Sequence, residues 1–180
     1  MKAITTSIII AGFVSLLSSC SSLKSPYYIG EKVEFSENEI GNETVWRLEE
    51  DVYHVKIVSS NEVVVSTVNW VDRNKKFTTE NHELVISELD DRLFINLKED
   101  DLYRVLRITP AGQSIVFYMV DGDQLKKHIP SGKVEFTEKG DVYTLKGSKE
   151  EIDQFIRENI TTIFNPDHVV VAELLSGELE

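Results

Sequence analysis

Between Thr44 and Leu145 the chain is a series of short runs of valine, isoleucine and aromatic residues, each closed by a few turn-forming residues. Thr44–Leu48 and Val52–Val58 flank Glu49-Glu50-Asp51, and Val63–Val71 follows Ser59-Ser60-Asn61. Glu83–Leu89 and Arg92–Leu97 flank Asp90-Asp91, while Leu102–Thr109 and Ser114–Val120 flank Pro110-Ala111-Gly112-Gln113. Lys133–Phe136 and Val142–Leu145 end the series, and Val33–Phe35 is a short run ahead of it. Such runs read as β-strands. Turns this short impose antiparallel pairing, because a parallel crossover needs a dozen or more residues. An antiparallel sheet of about 8–10 strands must protect its edges, so it closes into a barrel or folds into a sandwich. Ile115–Val120 and Val63-Val64-Val65 are apolar on both faces and should be covered on both sides. Arg104 and Arg107 interrupt their apolar run, which predicts a partly wet side there.

One amphipathic helix follows the strands, giving a mainly β (α+β) class with a C-terminal helix. Ser148-Lys149-Glu150-Glu151 has the spacing of a capping box, in which serine and glutamate satisfy each other's backbone amides. Ile152, Phe155, Ile156, Ile160 and Ile163 then form one stripe at helical spacing, the pattern of a core-facing side. Asn165-Pro166 should end the helix. Leu125–Ile129 is compatible with a single helical turn, and the segment 168–175 has no clear type. The expected boundaries are one β-rich domain over 30–172 and a polar C-terminal tail over 173–180.

Charge and cysteine usage remove several function classes. With 19 Lys plus Arg against 31 Asp plus Glu among 180 residues, the formal charge is −12. Nucleic acid is therefore a poor partner, since phosphates attract clustered cations. A single cysteine excludes an internal disulfide framework and a thiolate zinc cluster. A hydrophobic fraction of 41% is too high for a disordered acidic chain.

That cysteine closes an N-terminal pattern of its own. Met1-Lys2 is a positive start, Ala3 to Leu17 an apolar stretch with a solid run at Ile8 to Ala11, and Ser18-Ser19 a small-residue cleavage zone. The apolar stretch is short of the ~20 residues that cross a bilayer as a helix. Residues 1–19 read as a signal peptide. Leu17-Ser18-Ser19-Cys20 resembles the lipobox of bacterial lipoproteins, in which the cysteine thiol takes a diacylglycerol and becomes the new N-terminus. The resemblance implies lipidation of Cys20, normally with three acyl chains such as palmitate, and two or more chains anchor a protein stably. Ser21 stands where an aspartate would retain an enterobacterial lipoprotein in the inner membrane. An outer-membrane, periplasm-facing position is thus implied, with 20–30 as a lipidated polar tether.

No nucleophile elbow, zinc-protease, Walker or dinucleotide motif is present, and no cofactor is expected. His54, His82, His128 and His168 lack metal-ligand spacing and read as scattered residues. The acidic turns offer one speculative site. In an up-and-down meander, alternate turns share an end, which gathers Glu49, Glu50, Asp51, Glu99, Asp100, Asp101, Asp121 and Asp123. Such a cluster could take a hard cation or a basic partner; solvated turns in an acidic protein look the same. Strands followed by a C-terminal helix resemble the lipocalin layout, which includes bacterial outer-membrane lipoproteins, although Gly41 and Trp46 lack the spacing of its G-x-W signature. That layout implies a barrel able to hold one small apolar ligand.

The reading that follows is a non-enzymatic, membrane-anchored lipoprotein that binds an envelope protein or a small apolar ligand. The alternative is an envelope hydrolase or metal-dependent enzyme whose site forms no sequence motif. Replacing Cys20 by serine is expected to stop lipid labelling and to leave the precursor unprocessed in the cell. Normal processing and acylation of Cys20→Ser would contradict the lipobox.

Overall fold

The computed structural model describes residues 21–48, 51–71, 76–128 and 134–176, and only the backbone of 68–71 and 76–78. In chain order the elements are β1 (Ser22–Ser25), β2 (Glu31–Lys32), β3 (Glu43–Leu48), β4 (Asp51–Ser59), β5 (Glu62–Val71), β6 (Lys76–Leu89), β7 (Arg92–Glu99), β8 (Leu102–Ala111) and β9 (Ser114–Val120). Helix α1 (Gly122–His128), β10 (Glu135–Lys139), β11 (Val142–Lys146), helix α2 (Lys149–Ile163) and β12 (Phe164–Ser176) complete them.

Strands β3 to β9 form the expected meander, each antiparallel to the next. The turn between β6 and β7 needs two left-handed residues, which Asp90 (φ 50°) and Asp91 (φ 59°) supply. β12 then returns from α2 and pairs antiparallel with β9 on one side and β3 on the other. Both free edges of the meander are thereby joined in a closed barrel of eight antiparallel strands, and the sandwich alternative falls away. The untyped segment 168–175 belongs to this closing strand. So does Glu173–Ser176, expected in a polar tail; alternation places Ala172 and Leu174 inside, and Glu173 outside.

Alternation divides the barrel wall. Leu93, Ile95 and Leu97 of β7 belong to the interior, with Leu106 and Ile108 of β8 and Phe117 and Met119 of β9. The intervening Phe94 and Val105 belong to a second core outside the wall. That core exists because β8 has two partners along one edge: Arg107–Ala111 pair with β9, and Tyr103–Val105 pair with β1. β1 runs parallel to β11, which pairs with β10, so three strands peel away from the barrel there. Helix α2 fills the angle between them and the wall. Its capping box and its stripe of Ile152, Phe155, Ile156, Ile160 and Ile163 are as expected, and all five residues are buried. Phe94 meets Phe164 edge to face at 5.8 Å.

Several expectations need correction. The segment 21–30 is no tether. Leu23 and Ile29 are fully buried, and Ser22 and Ser25 are small enough to be buried beside them. Burial of one leucine side chain contributes about 2–3 kcal/mol, far more than a solvated linker would forgo. Asn96, buried on the outer face of β7, accepts from the Ile29 N–H at 2.9 Å and donates to Ser87 Oγ at 2.7 Å. Lys149 of α2 donates to the Gly30 carbonyl at 2.7 Å and to Asp153 at 2.6 Å. Gly30 is needed here: its φ is +72°, and a Cβ would stand 2.1 Å from the Glu88 carbonyl oxygen. The helix expected at the C-terminal end is followed by a barrel strand, and the single helical turn allowed from Leu125 is part of a longer second helix, Gly122–His128, with Ile129 outside the described residues. Val64 and Val116 are half-buried on the outer wall, so β5 is covered fully on one side only, whereas the last part of β9 is covered on both: Phe117 and Met119 lie in the barrel core, Val120 in the second core with Tyr118 packed against it. Arg104 sits on the interior face and is 7% exposed, so its side is the barrel interior and not solvent.

Candidate functional site

The barrel interior is lined by aliphatic and aromatic side chains but is not filled. Between Trp46, Tyr53, Val65, Ile95, Phe117 and Ala172 lies a cavity of about 100 Å³. Register explains its position. Trp46 faces Tyr53 across β3 and β4, Val55 faces Val65 across β4 and β5, and Ala172 is the smallest residue on the closing strand's inner face. The lining carries two polar groups, and both turn toward their own strands: Trp46 Nε1 donates to Thr44 Oγ1 at 2.8 Å, and Tyr53 Oη lies 3.4 Å from Asp51 Oδ2. What the cavity offers an occupant is therefore carbon surface. Phe35 packs against the interior cluster at one end of the barrel, where its N–H donates to the Ser60 carbonyl at 2.6 Å.

The opposite end carries the β3–β4 and β7–β8 connections and the last residue of β9, the end at which meander parity gathers the acidic turns. Of the acidic residues expected there, Glu49 and Glu50 lie outside the described residues. Asp100 and Asp101 are exposed in the β7–β8 turn, and Asp123 is exposed in α1. Asp121 caps α1, accepting from the Gln124 N–H at 3.0 Å, and its other oxygen lies 3.4 Å from Asn165 Nδ2. Asp51 opens β4 beside Tyr53. Shared placement does not make a shared site: among the described residues no three His, Cys, Asp or Glu converge as metal ligands. The histidines are dispersed, with His54 and His168 exposed, His82 3.7 Å from Glu80, and His128 against the Gln124 carbonyl. Cys20 lies outside the described residues, which begin at its neighbour Ser21.

Glu99 has a different role, invisible while 21–30 reads as a tether. Lys24 of β1 and Arg104 of β8 are register partners, so two cations stand side by side. Glu99 separates them, 2.6 Å from Lys24 Nζ and 2.7 Å from Arg104 Nε. Burial pushes the Glu99 carboxyl up, but the hydrogen bond from Lys24 and the charge of Arg104 outweigh it and hold it below the ordinary glutamate range. On the outer wall Arg107 stacks on the Tyr118 ring at 4.2 Å, and burial lowers its guanidinium below the usual value. The sequence signal for both arginines was their intrusion into an apolar run.

Comparison with family models, curated proteins and solved structures finds no match to this chain. Fold and cavity define its class: a closed eight-stranded antiparallel barrel with an apolar interior and an outer α/β layer.

Because the folded Glu99 value lies below the unfolded one, its stabilisation is complete above the free-glutamate range and disappears as pH falls through the folded value. Glu99→Gln leaves Arg104 buried without its anion and should cost about 3 kcal/mol at pH 7. The penalty should be smaller at pH 3 than at pH 7 when both proteins are unfolded in denaturant. Equal penalties at the two pH values would contradict an ionised Glu99 holding this corner.

Proposed function

We propose that this chain is a bacterial envelope lipoprotein, held by acyl groups on Cys20, whose barrel receives a small apolar molecule or the end of a hydrocarbon chain. The observation that supports ligand binding is the apolar cavity of about 100 Å³ inside a closed barrel. Packed interiors seldom leave such space, and apolar cavities of this order take up benzene or xenon instead of water. Selectivity follows from the lining. A polar group brought inside would lose its hydrogen bonds to water and find no partner, at a cost of roughly 1–3 kcal/mol. The occupant is therefore a hydrocarbon group of about benzene size. The signal-peptide and lipobox pattern of residues 1–20 supports the envelope location and the anchor. The reading is one of binding, without a chemical step.

A protein partner is the second reading, favoured by the outer wall. Val169 and Val171 of β12 are 41% and 46% exposed, and Val171 pairs with Val116 of β9.

Filling the cavity separates the two. Ala172→Leu places added carbon inside the barrel and leaves the outer wall untouched. Benzene should raise the melting temperature of the natural protein, whereas Ala172→Leu should melt at the same temperature or higher without benzene and show no benzene-dependent rise. A benzene response that survives in Ala172→Leu would contradict ligand uptake in this cavity.

A further inference from the structure

We infer that acylation of Cys20 seats the barrel end-on upon the bilayer, with the end carrying the β7–β8 turn against the headgroups and the Phe35 end pointing away. The inference rests on the proposed lipid anchor and adds an interaction surface to it. Its basis is where the folded chain begins. Ser21, one peptide bond from Cys20, forms a bridge with Val120, the last residue of β9. The Ser22 N–H donates to the Asp141 carbonyl at 2.7 Å, and Leu23 is already in the core. Gly122, the first residue of α1, lies so close that a Cβ there would stand 2.5 Å from Ser21 Oγ. Consecutive Cα atoms are about 3.8 Å apart, so the lipid-bearing residue stays within one residue's reach of the end of β9. A flexible linker of ten residues would instead give about 16–19 Å of play and let the barrel tumble. The short reach removes that freedom.

The direction of β9 decides which end meets the lipid. It runs from the Gly112-Gln113 turn to Val120, so Val120 and Ser21 share the end that holds Asp100 and Asp101. Ten-residue strands tilted by about 40° make a barrel about 25 Å long, and the Gly112-Gln113 end stands clear of the headgroups by that length. Charge defines the surface that fits. Asp100, Asp101 and Asp123 are exposed at the lipid end, offset in part by Lys127 of α1, while the neighbouring Lys126 is paired with Glu138 at 2.7 Å. A zwitterionic headgroup layer accommodates these charges, whereas an anionic one repels the carboxylates.

The test uses the full-length gene product, isolated as the mature protein, weighed by mass spectrometry and placed in phosphatidylcholine vesicles with an acceptor dye on a headgroup. Asp101→Cys and Gln113→Cys each supply one free thiol for a donor dye, because the Cys20 thiol is blocked by acylation. Energy transfer should be at least about twofold more efficient from Asp101→Cys than from Gln113→Cys, given the barrel length. A ten-residue Gly/Ser insertion between Cys20 and Ser21 should erase that difference. Acylated protein that transfers equally from both positions would overturn end-on seating and leave the anchor standing. A mass without acyl groups would overturn the anchor itself, and the seating with it.

Discussion

Closure of the barrel by β12 is the constraint on which the rest of the structure depends. The meander β3–β9 alone would leave two open edges, a hazard for any antiparallel sheet. β12 pairs with both, setting Ala172 opposite Leu48 on one side and Ile115 on the other. Only then is there an enclosed interior, a cavity within it, and a defined pair of ends. The contacts that achieve this join distant parts of the chain, so their loop-closure entropy is lost late and closure should be among the slow steps of folding.

The outer layer depends on the same wall. β7 and β8 are buried on both faces, with Ile95 and Leu106 in the barrel core and Phe94 and Val105 in the core under α2. Two polar devices fix the N-terminal segment to this wall. Asn96 spends its amide on the Ile29 backbone and Ser87, and Glu99 pairs with both adjacent cations, Lys24 and Arg104. Each gives a polar or charged partner to groups that would be costly to bury alone, although Arg104 Nη1 is buried without a hydrogen bond among the described residues. Together they make the residues just behind Cys20 a structural part of the domain, with direct consequences for how an anchored molecule would stand on its membrane.

The strands, their turns and α2 were legible because their signals are local: period-two alternation, Asp-Asp and Gly-containing turns, a capping box and a stripe at helical spacing. The placement of the acidic turns at one end was legible too, since it follows from meander parity. β1 was hidden by composition. Ser22-Leu23-Lys24-Ser25 looks polar, yet the serines pack as small residues and Lys24 finds a carboxylate that only the tertiary fold supplies. β12 was hidden by Asn165-Pro166, a helix stop that also opens a strand. The cavity had no sequence signal, because it depends on which residues face one another. Ala172 of β12 leaves space among Trp46 of β3 and Ile115 and Phe117 of β9, residues far apart in the chain.

Whether that space accepts an apolar atom is the most direct test of the molecule as a binding barrel. Crystals of the protein pressurised with xenon should show one strong xenon peak inside the barrel, between Trp46, Ile95 and Phe117, with little movement of the surrounding side chains. A barrel interior without xenon, or xenon bound only under α2, would contradict it.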